Sequence, residues 1–149
     1  MPYHLAQLNI AKMIYSVEDP RMAEFMDNLD PINQLAEEAP GFVWRLQTEE
    51  GDATAIRAFE DPKILLNMSM WEDVESFRNY VYKSQHLDFF KDREKWFEPM
   101  TEAHMVMWWV AEGHLPDVEE AKKRLEMLRA NGPTPRAFTV AKNFEPEVE

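Results

Sequence analysis

Ile64-Leu65-Leu66-Asn67-Met68-Ser69-Met70-Trp71 alternates its side chains with a period of two, the pattern of a β-strand. Leu66, Met68 and Met70 point one way, and Asn67, Ser69 and Trp71 point the other. A strand with one apolar face and one face of amide, hydroxyl and indole belongs to an antiparallel sheet whose two sides meet different surroundings.

Towards the C-terminus, Asp73 is placed to cap a helix in which Val74, Phe77, Tyr80 and Val81 share one face. A second helical piece is expected from about His86 to Phe97, carrying Leu87, Phe90, Trp96 and Phe97 and ended by Pro99. Met105 to Ala111 reads as a strand with both faces apolar: Val106, Trp108 and Val110 on one, Met105, Met107 and Trp109 on the other. Asp117-Val118-Glu119-Glu120 is a capping box. Ala121, Leu125 and Leu128 mark the buried stripe of the helix it opens, and Asn131-Gly132-Pro133 closes that helix. Ala137 to Phe144 is expected to be a last strand.

Towards the N-terminus, Phe42 to Gln47 reads as a strand, joined to the central one through a polar turn from Thr48 to Thr54. Pro40-Gly41 stops a helix that starts at Asp19-Pro20, with Asp as cap and Pro in the first turn. Met22, Phe25, Met26, Leu29, Ile32, Leu35 and Ala36 form its apolar face. Pro31 is expected to kink this helix or to split it, with Asp30 capping the second piece. Tyr3 to Ile14 is the first strand, with Ala6, Leu8 and Ile10 opposed to Leu5, Gln7 and Asn9. The element order is β-α-β-β-α-β with one more α-β pair. Its first six members give an α+β class and a ferredoxin-like antiparallel sheet, in one continuous domain over residues 1–149.

Placing the apolar sets under the helices gathers Gln7, Asn9, Arg45, Gln47, Asn67, Ser69 and Trp71 on the opposite face. Apolar walls with a few placed polar groups are what a small-molecule pocket uses. A large indole is rarely left bare, and a strand apolar on both sides is rarely left half open. A partner sheet, from a second copy of the chain, is therefore expected to roof this face. Asn is depleted in strands and must be hydrogen-bonded when buried, which marks Asn67. Arg45 can pair with a substrate anion or with a structural carboxylate.

Composition narrows the function classes. The 149 residues carry a formal net charge of −12, which disfavours nucleic acid and anionic membrane as partners. There is no cysteine, so disulfides and thiolate metal sites are excluded and a reducing cytoplasm is suited. The start Met1-Pro2-Tyr3-His4-Leu5 is unlike a secretory signal, and the longest apolar run, Met105 to Ala111, is too short to span a bilayer. His4, His104 and His114 are scattered without metal-ligand spacing, and the 4 glycines form no phosphate loop. No metal and no cofactor is implied. The 10 Met supply core and an adaptable apolar lining.

Asn67-Met68-Ser69-Met70-Trp71-Glu72-Asp73-Val74-Glu75-Ser76-Phe77, followed by Tyr82-Lys83-Ser84-Gln85-His86, resembles the central motif of the antibiotic-biosynthesis-monooxygenase superfamily, the dimeric α+β barrels. Across nearly the whole chain, Tyr3 to Asn9, Pro40 to Leu46, Trp108-Trp109-Val110 and Ala121 to Phe138 resemble a bacterial domain-of-unknown-function family within or near that superfamily. The resemblance implies a homodimer of two sheets, each subunit with a pocket between its sheet and helices. Some members of the superfamily oxidise aromatic polyketides with O₂ and no cofactor, and Asn67 and Trp71 match the Asn and Trp they use. Others bind and degrade haem, and Asn9, Trp71 and His86 match in residue type; the interval from Trp71 to His86 departs from that pattern. In the oxygenase reading Asn67 and Arg45 would stabilise a substrate oxyanion, His86 or Tyr82 would move a proton, and Trp71, Trp44 or Trp108 would line the cavity. The expectation is a small-molecule-binding dimer that holds an apolar or aromatic ligand. The alternative is a cofactor-independent monooxygenase acting on electron-rich aromatics, with haem binding third. The candidate catalytic set is Asn67, Trp71 and His86; the candidate substrate contacts are Asn9, Arg45, Ser69, Tyr82 and Trp108.

Overall fold

Two long strands set the architecture. In this computed structural model, which describes residues 3–16, 18–46, 63–83, 95–99 and 102–146, β1 (Tyr3–Met13) and β3 (Ile64–Trp71) pair antiparallel from Leu5↔Trp71 to Lys12↔Ile64. β2 (Phe42–Arg45) adds to the far side of β3, while β4 (Phe97–Glu98) and β5 (Met105–Ala111) share the other side of β1. All pairings are antiparallel, giving a five-stranded sheet in the ferredoxin-like order. Three α-helices accompany it among the described residues: α1 (Ala23–Glu38), α2 (Val74–Lys83) and α3 (Val118–Asn131). None of the described helices is long and apolar enough to cross a membrane.

Helix boundaries follow local chemistry. A 3-10 turn, Pro20–Met22, leads into α1; the Asp19 carboxylate accepts from the Arg21 N–H at its start. Asp117 accepts from the Glu120 N–H and opens α3, and Gly132 ends it at φ 72°. Pro31 neither splits nor ends α1, which runs through it. An interior proline costs about 3 kcal/mol, and burying one large apolar side chain returns about 1.5–3 kcal/mol. Phe25 before Pro31, and Leu35 and Ala36 after it, pack in the core, so both halves are held against the sheet. Gly41 then turns the chain at φ 85°, with its carbonyl accepting from the Glu72 N–H at 2.7 Å.

Two expectations at the chain's later elements are corrected. Phe97 ends no helix: it pairs with Met13 in β4 and meets Phe25 edge-on at 5.0 Å. The stretch from Ala137 to Phe144 is not a strand. Phe138 makes one antiparallel bridge to Met107, and the chain turns at once, with the Thr139 N–H reaching the Lys142 carbonyl. Its contribution lies in Phe138, Val140 and Phe144, which pack beside Met107 and Trp109. The expected turn from Thr48 to Thr54 and most of the piece from His86 onwards lie outside the described residues.

Both faces of the sheet are covered by helices, where the sequence predicts helices over the apolar face alone. Ala6, Leu8, Ile10, Leu66, Met68, Met70, Val106, Trp108 and Val110 lie under α3, through Ala121, Leu125 and Leu128. The face with Gln7, Ser69 and Trp71 lies under α1 and α2. Of the three α-helices among the described residues, the last takes the continuous apolar face. The other two bring their own aromatic residues to the mixed face. The two apolar sides of β5 are thus both covered from within the chain: Val106, Trp108 and Val110 by α3, and Met107 and Trp109 by the segment around Phe138.

β2 carries a further irregularity. Phe42 pairs with Trp71, but Trp44 pairs with Met70, so Val43 is the extra residue of a bulge. Phe42 therefore shares the face of Trp71, not that of Trp44, and alternation along the strand does not sort the two correctly.

Candidate functional site

Register places the site. Along the face beneath α1 and α2, Leu5 stands opposite Trp71, Gln7 opposite Ser69, and Asn9 opposite Asn67. β5 adds Trp109, Met107 and Met105 to the same three rows, and β2 adds Phe42 and Arg45 beside Trp71 and Ser69. The first row is closed. Trp71 is wholly buried, stacked on Tyr80 at 5.1 Å and met edge-on by Phe42 and Phe77. Beyond the third row the face is apolar again, with Leu65, Met13, Phe25 and Trp96 buried together. A polar band thus crosses an otherwise apolar face, and α1 packs on the clusters at both its ends.

The band is one hydrogen-bonded ladder. The Trp71 indole N–H donates to Ser69 Oγ at 2.9 Å. Gln7 Nε2 donates to Ser69 Oγ at 2.7 Å and to Asn67 Oδ1 at 2.8 Å. Asn9 Nδ2 donates to Gln7 Oε1 at 3.1 Å and, more weakly, to Asn67 Oδ1 at 3.4 Å. Gln7 and Ser69 are buried, Asn9 is half-buried and Asn67 is exposed. The ladder therefore runs from a sealed indole to an open pair of amides. Buried polar groups need partners, and here each buried one has them.

Arg45 and Tyr80 frame the closed end. The Arg45 guanidinium bonds Glu37 of α1 at 2.9 Å, with its side chain 9% exposed. The Tyr80 hydroxyl donates to the Ile32 carbonyl at 3.2 Å. Burial pushes the Tyr80 phenol well above the ordinary tyrosine range, with Arg45 pulling weakly the other way. Tyr80 is therefore a neutral wall and hydrogen-bond donor at physiological pH.

The sequence-derived candidates divide accordingly. Asn9, Asn67, Ser69 and Trp71 are brought together on one face. Arg45 borders them, paired with Glu37. Trp108 does not join them: it lies on the opposite face under α3, its indole donating to Glu120 at 2.9 Å. Tyr82 is 56% exposed on α2. His86 and Gln47 lie outside the described residues. Gln7, the hub of the ladder, was not among the candidates for contact; its signal was an amide in the middle of a strand flanked by leucines. Tyr80 read as core from its helical spacing, and only the packed structure shows it stacked on Trp71.

A shallow groove of ≈ 290 Å³ lies elsewhere, at the start of α2 between Asp73, Glu75, Arg78, Trp109 and Phe144. It touches the ladder nowhere.

Comparison with known proteins supports the fold. The structure of NE2512, a protein of unknown function from Nitrosomonas europaea, is similar with a TM-score of 0.50 at 13% identity, covering 77% of this chain and 96% of that one. SnoaB, a cofactor-independent oxygenase from Streptomyces nogalater, is similar with a TM-score of 0.49 at 16% identity, covering 76% of this chain and 98% of that one. At 13% identity the likeness to NE2512 is one of fold alone. No curated protein matches. A family model, the domain of unknown function DUF3291, matches residues 4–149, and the chain belongs to that family.

Proposed function

We propose that this protein is a small-molecule-binding domain that holds an aromatic or largely apolar ligand at the open end of the ladder, over Asn9 and Asn67. One observation carries the reading. A graded row of amides and a hydroxyl is built into a face that is otherwise apolar, and it ends in side chains open to solvent. A core that needed only stability would favour apolar residues in these positions, because buried polar networks gain little net free energy. Met105, half-buried and opposite Asn9 on β5, supplies apolar ground for a ring.

Binding predicts concentration-dependent thermal stabilisation. A panel of bicyclic aromatics, with 1-naphthol among them, should raise the melting temperature of the wild-type protein and raise that of Asn67→Ala less. No shift with any compound at millimolar concentration would remove the reading. Oxygenase activity is the second reading. It is favoured by the exposed Asn67 NH₂ group, a donor able to stabilise a phenolate. O₂ uptake with quinols, lost in Asn67→Ala, would establish it. The haem reading depends on His86.

Self-association belongs to the same proposal. Val43, Trp44, Leu46 and Ile64 are only partly buried at the β2 end of the α3 face, where a second copy would cover them. A monomer in sedimentation at micromolar concentration would contradict it.

A further inference from the structure

The ladder has two complete hydrogen-bond orientations, and this property limits what it can recognise. In the first, Gln7 Nε2 serves Ser69 Oγ at 2.7 Å and Asn67 Oδ1 at 2.8 Å, and Asn9 Nδ2 serves Gln7 Oε1 at 3.1 Å. The Asn67 NH₂ group and the Asn9 carbonyl then have no partner among the described residues. Turning the three amides end for end keeps every heavy-atom contact. Ser69 O–H and Asn67 Nδ2 then donate to Gln7 Oε1, and Gln7 Nε2 and Asn67 Nδ2 donate to Asn9 Oδ1. The Trp71 indole can only donate, and the Ser69 oxygen accepts from it in both orientations.

The mouth therefore offers the same thing in either state: one NH₂ donor and one carbonyl acceptor, on directly opposed residues of neighbouring strands. Only their order changes. A ligand with a lone acceptor satisfies one of the two groups and leaves the other facing its apolar ring. A ligand carrying donor and acceptor side by side satisfies both, and the amides can turn to suit its orientation.

We infer that the opposed amides of Asn9 and Asn67 select a planar ring with a lactam-type edge, an N–H beside a carbonyl, over rings with either group alone. This rests on the small-molecule-binding reading and goes further by naming the ligand's polar edge. The structure supplies the recognition in paired form: two amides opposed across β1 and β3, tied through a buried Gln7 that transmits the orientation of one to the other.

Calorimetric titration with three related probes tests it: quinolin-2-one, 1-methylquinolin-2-one and naphthalene, which carry donor and acceptor, acceptor only, and neither. Sites built to hydrogen-bond a ligand group reject analogues lacking it. Quinolin-2-one should bind at least about tenfold more tightly than its methylated analogue, which corresponds to 1.4 kcal/mol. That ratio should collapse towards unity in Asn67→Ala and in Asn9→Ala. Asn67→Asp, which keeps the side-chain shape and leaves only acceptors at that position, should retain the preference for quinolin-2-one over its methylated analogue, and guards against a variant that fails to fold. Equal binding of all three probes, weakened alike by these substitutions, would overturn the inference and leave the binding reading intact. No binding of any probe to the wild-type protein would overturn both.

Discussion

Gln7 and Ser69 stand directly opposite each other on β1 and β3, and the Gln7 amide donates to the Ser69 hydroxyl at 2.7 Å while both side chains are buried. Ser69 Oγ also receives the Trp71 indole N–H at 2.9 Å. One hydroxyl oxygen thus joins the aromatic wall to the amide ladder.

Ser69→Ala should be costly for that reason. It leaves one Gln7 N–H and the Trp71 N–H buried without an acceptor, and each orphaned donor costs about 1–3 kcal/mol. A loss of about 2–4 kcal/mol is expected in urea unfolding. Asn79→Ala, removing a half-buried side chain whose Oδ1 is already without a partner, should cost less than half as much. Equal losses would show that the ladder's bonds add nothing.

Gly41→Ala should destabilise through two separate effects. The backbone there has φ 85°, and a Cβ would run into the Ser76 side chain at the start of α2. A strained backbone residue costs about 1–3 kcal/mol before any steric overlap is added. The double variant Gly41→Ala with Ser76→Gly should recover the steric part only, which unfolding of the two proteins would separate.

Alkaline pH should weaken the fold through Tyr80. Its folded-state pKa is raised by burial above the ordinary 10.0. The stabilisation is complete below pH 10.0 and is lost as pH rises from there towards the folded value, since the unfolded chain releases this proton first. Tyr80→Phe should flatten that alkaline limb, while giving up the bond to the Ile32 carbonyl. At the acid end, Arg21 beside Asp19 holds its carboxyl at about 2 instead of 3.8, so this exposed pair's contribution is present above pH 3.8 and fades as pH falls through about 2. Asp19→Asn should remove the pH dependence in that window.

Trp108→Phe should separate the two faces of the sheet. It breaks the bond to Glu120, which also holds His114 at 2.7 Å, and it lowers stability. Because Trp108 lies across the sheet from Asn67, the affinity for aromatic ligands should stay within about twofold of wild type, well inside the energy of one hydrogen bond. A large affinity loss would place the ligand under α3.

Much of this architecture was legible in the residues because strand periodicity is strict. Ile64 to Trp71 shows one face apolar and the other polar without ambiguity, and its bounds are those of β3. Asp117 with Glu120 and Gly132 marks α3 equally well. Alternation divides a strand into two faces but carries no information on which helices cover which. Ala121, Leu125 and Leu128 could have covered either side, and the covering of the Leu8 and Met68 face by α3 depends on tertiary packing. The bulge at Val43 is invisible to a period of two, which would put Phe42 and Trp44 on one face. Propensity alone argues against Pro31 inside a helix, whereas packing on both its sides decides the matter. The ladder was legible in its parts: Asn67, Ser69 and Trp71 fall on one face by parity. Its hub was not, because the opposition of Gln7 to Ser69 depends on register between strands 62 residues apart in sequence.

The most direct measurement is an NMR titration of the ¹⁵N-labelled protein with 1-naphthol, following the side-chain NH₂ resonances of Asn9, Gln7 and Asn67. Saturable shifts of the Asn9 and Asn67 signals, with smaller ones at Gln7 and at the Trp71 indole, are the result that a ligand over the open end of the ladder requires. Shifts confined to the Trp108 indole and the backbone of α3, or no saturable shift anywhere, would contradict it.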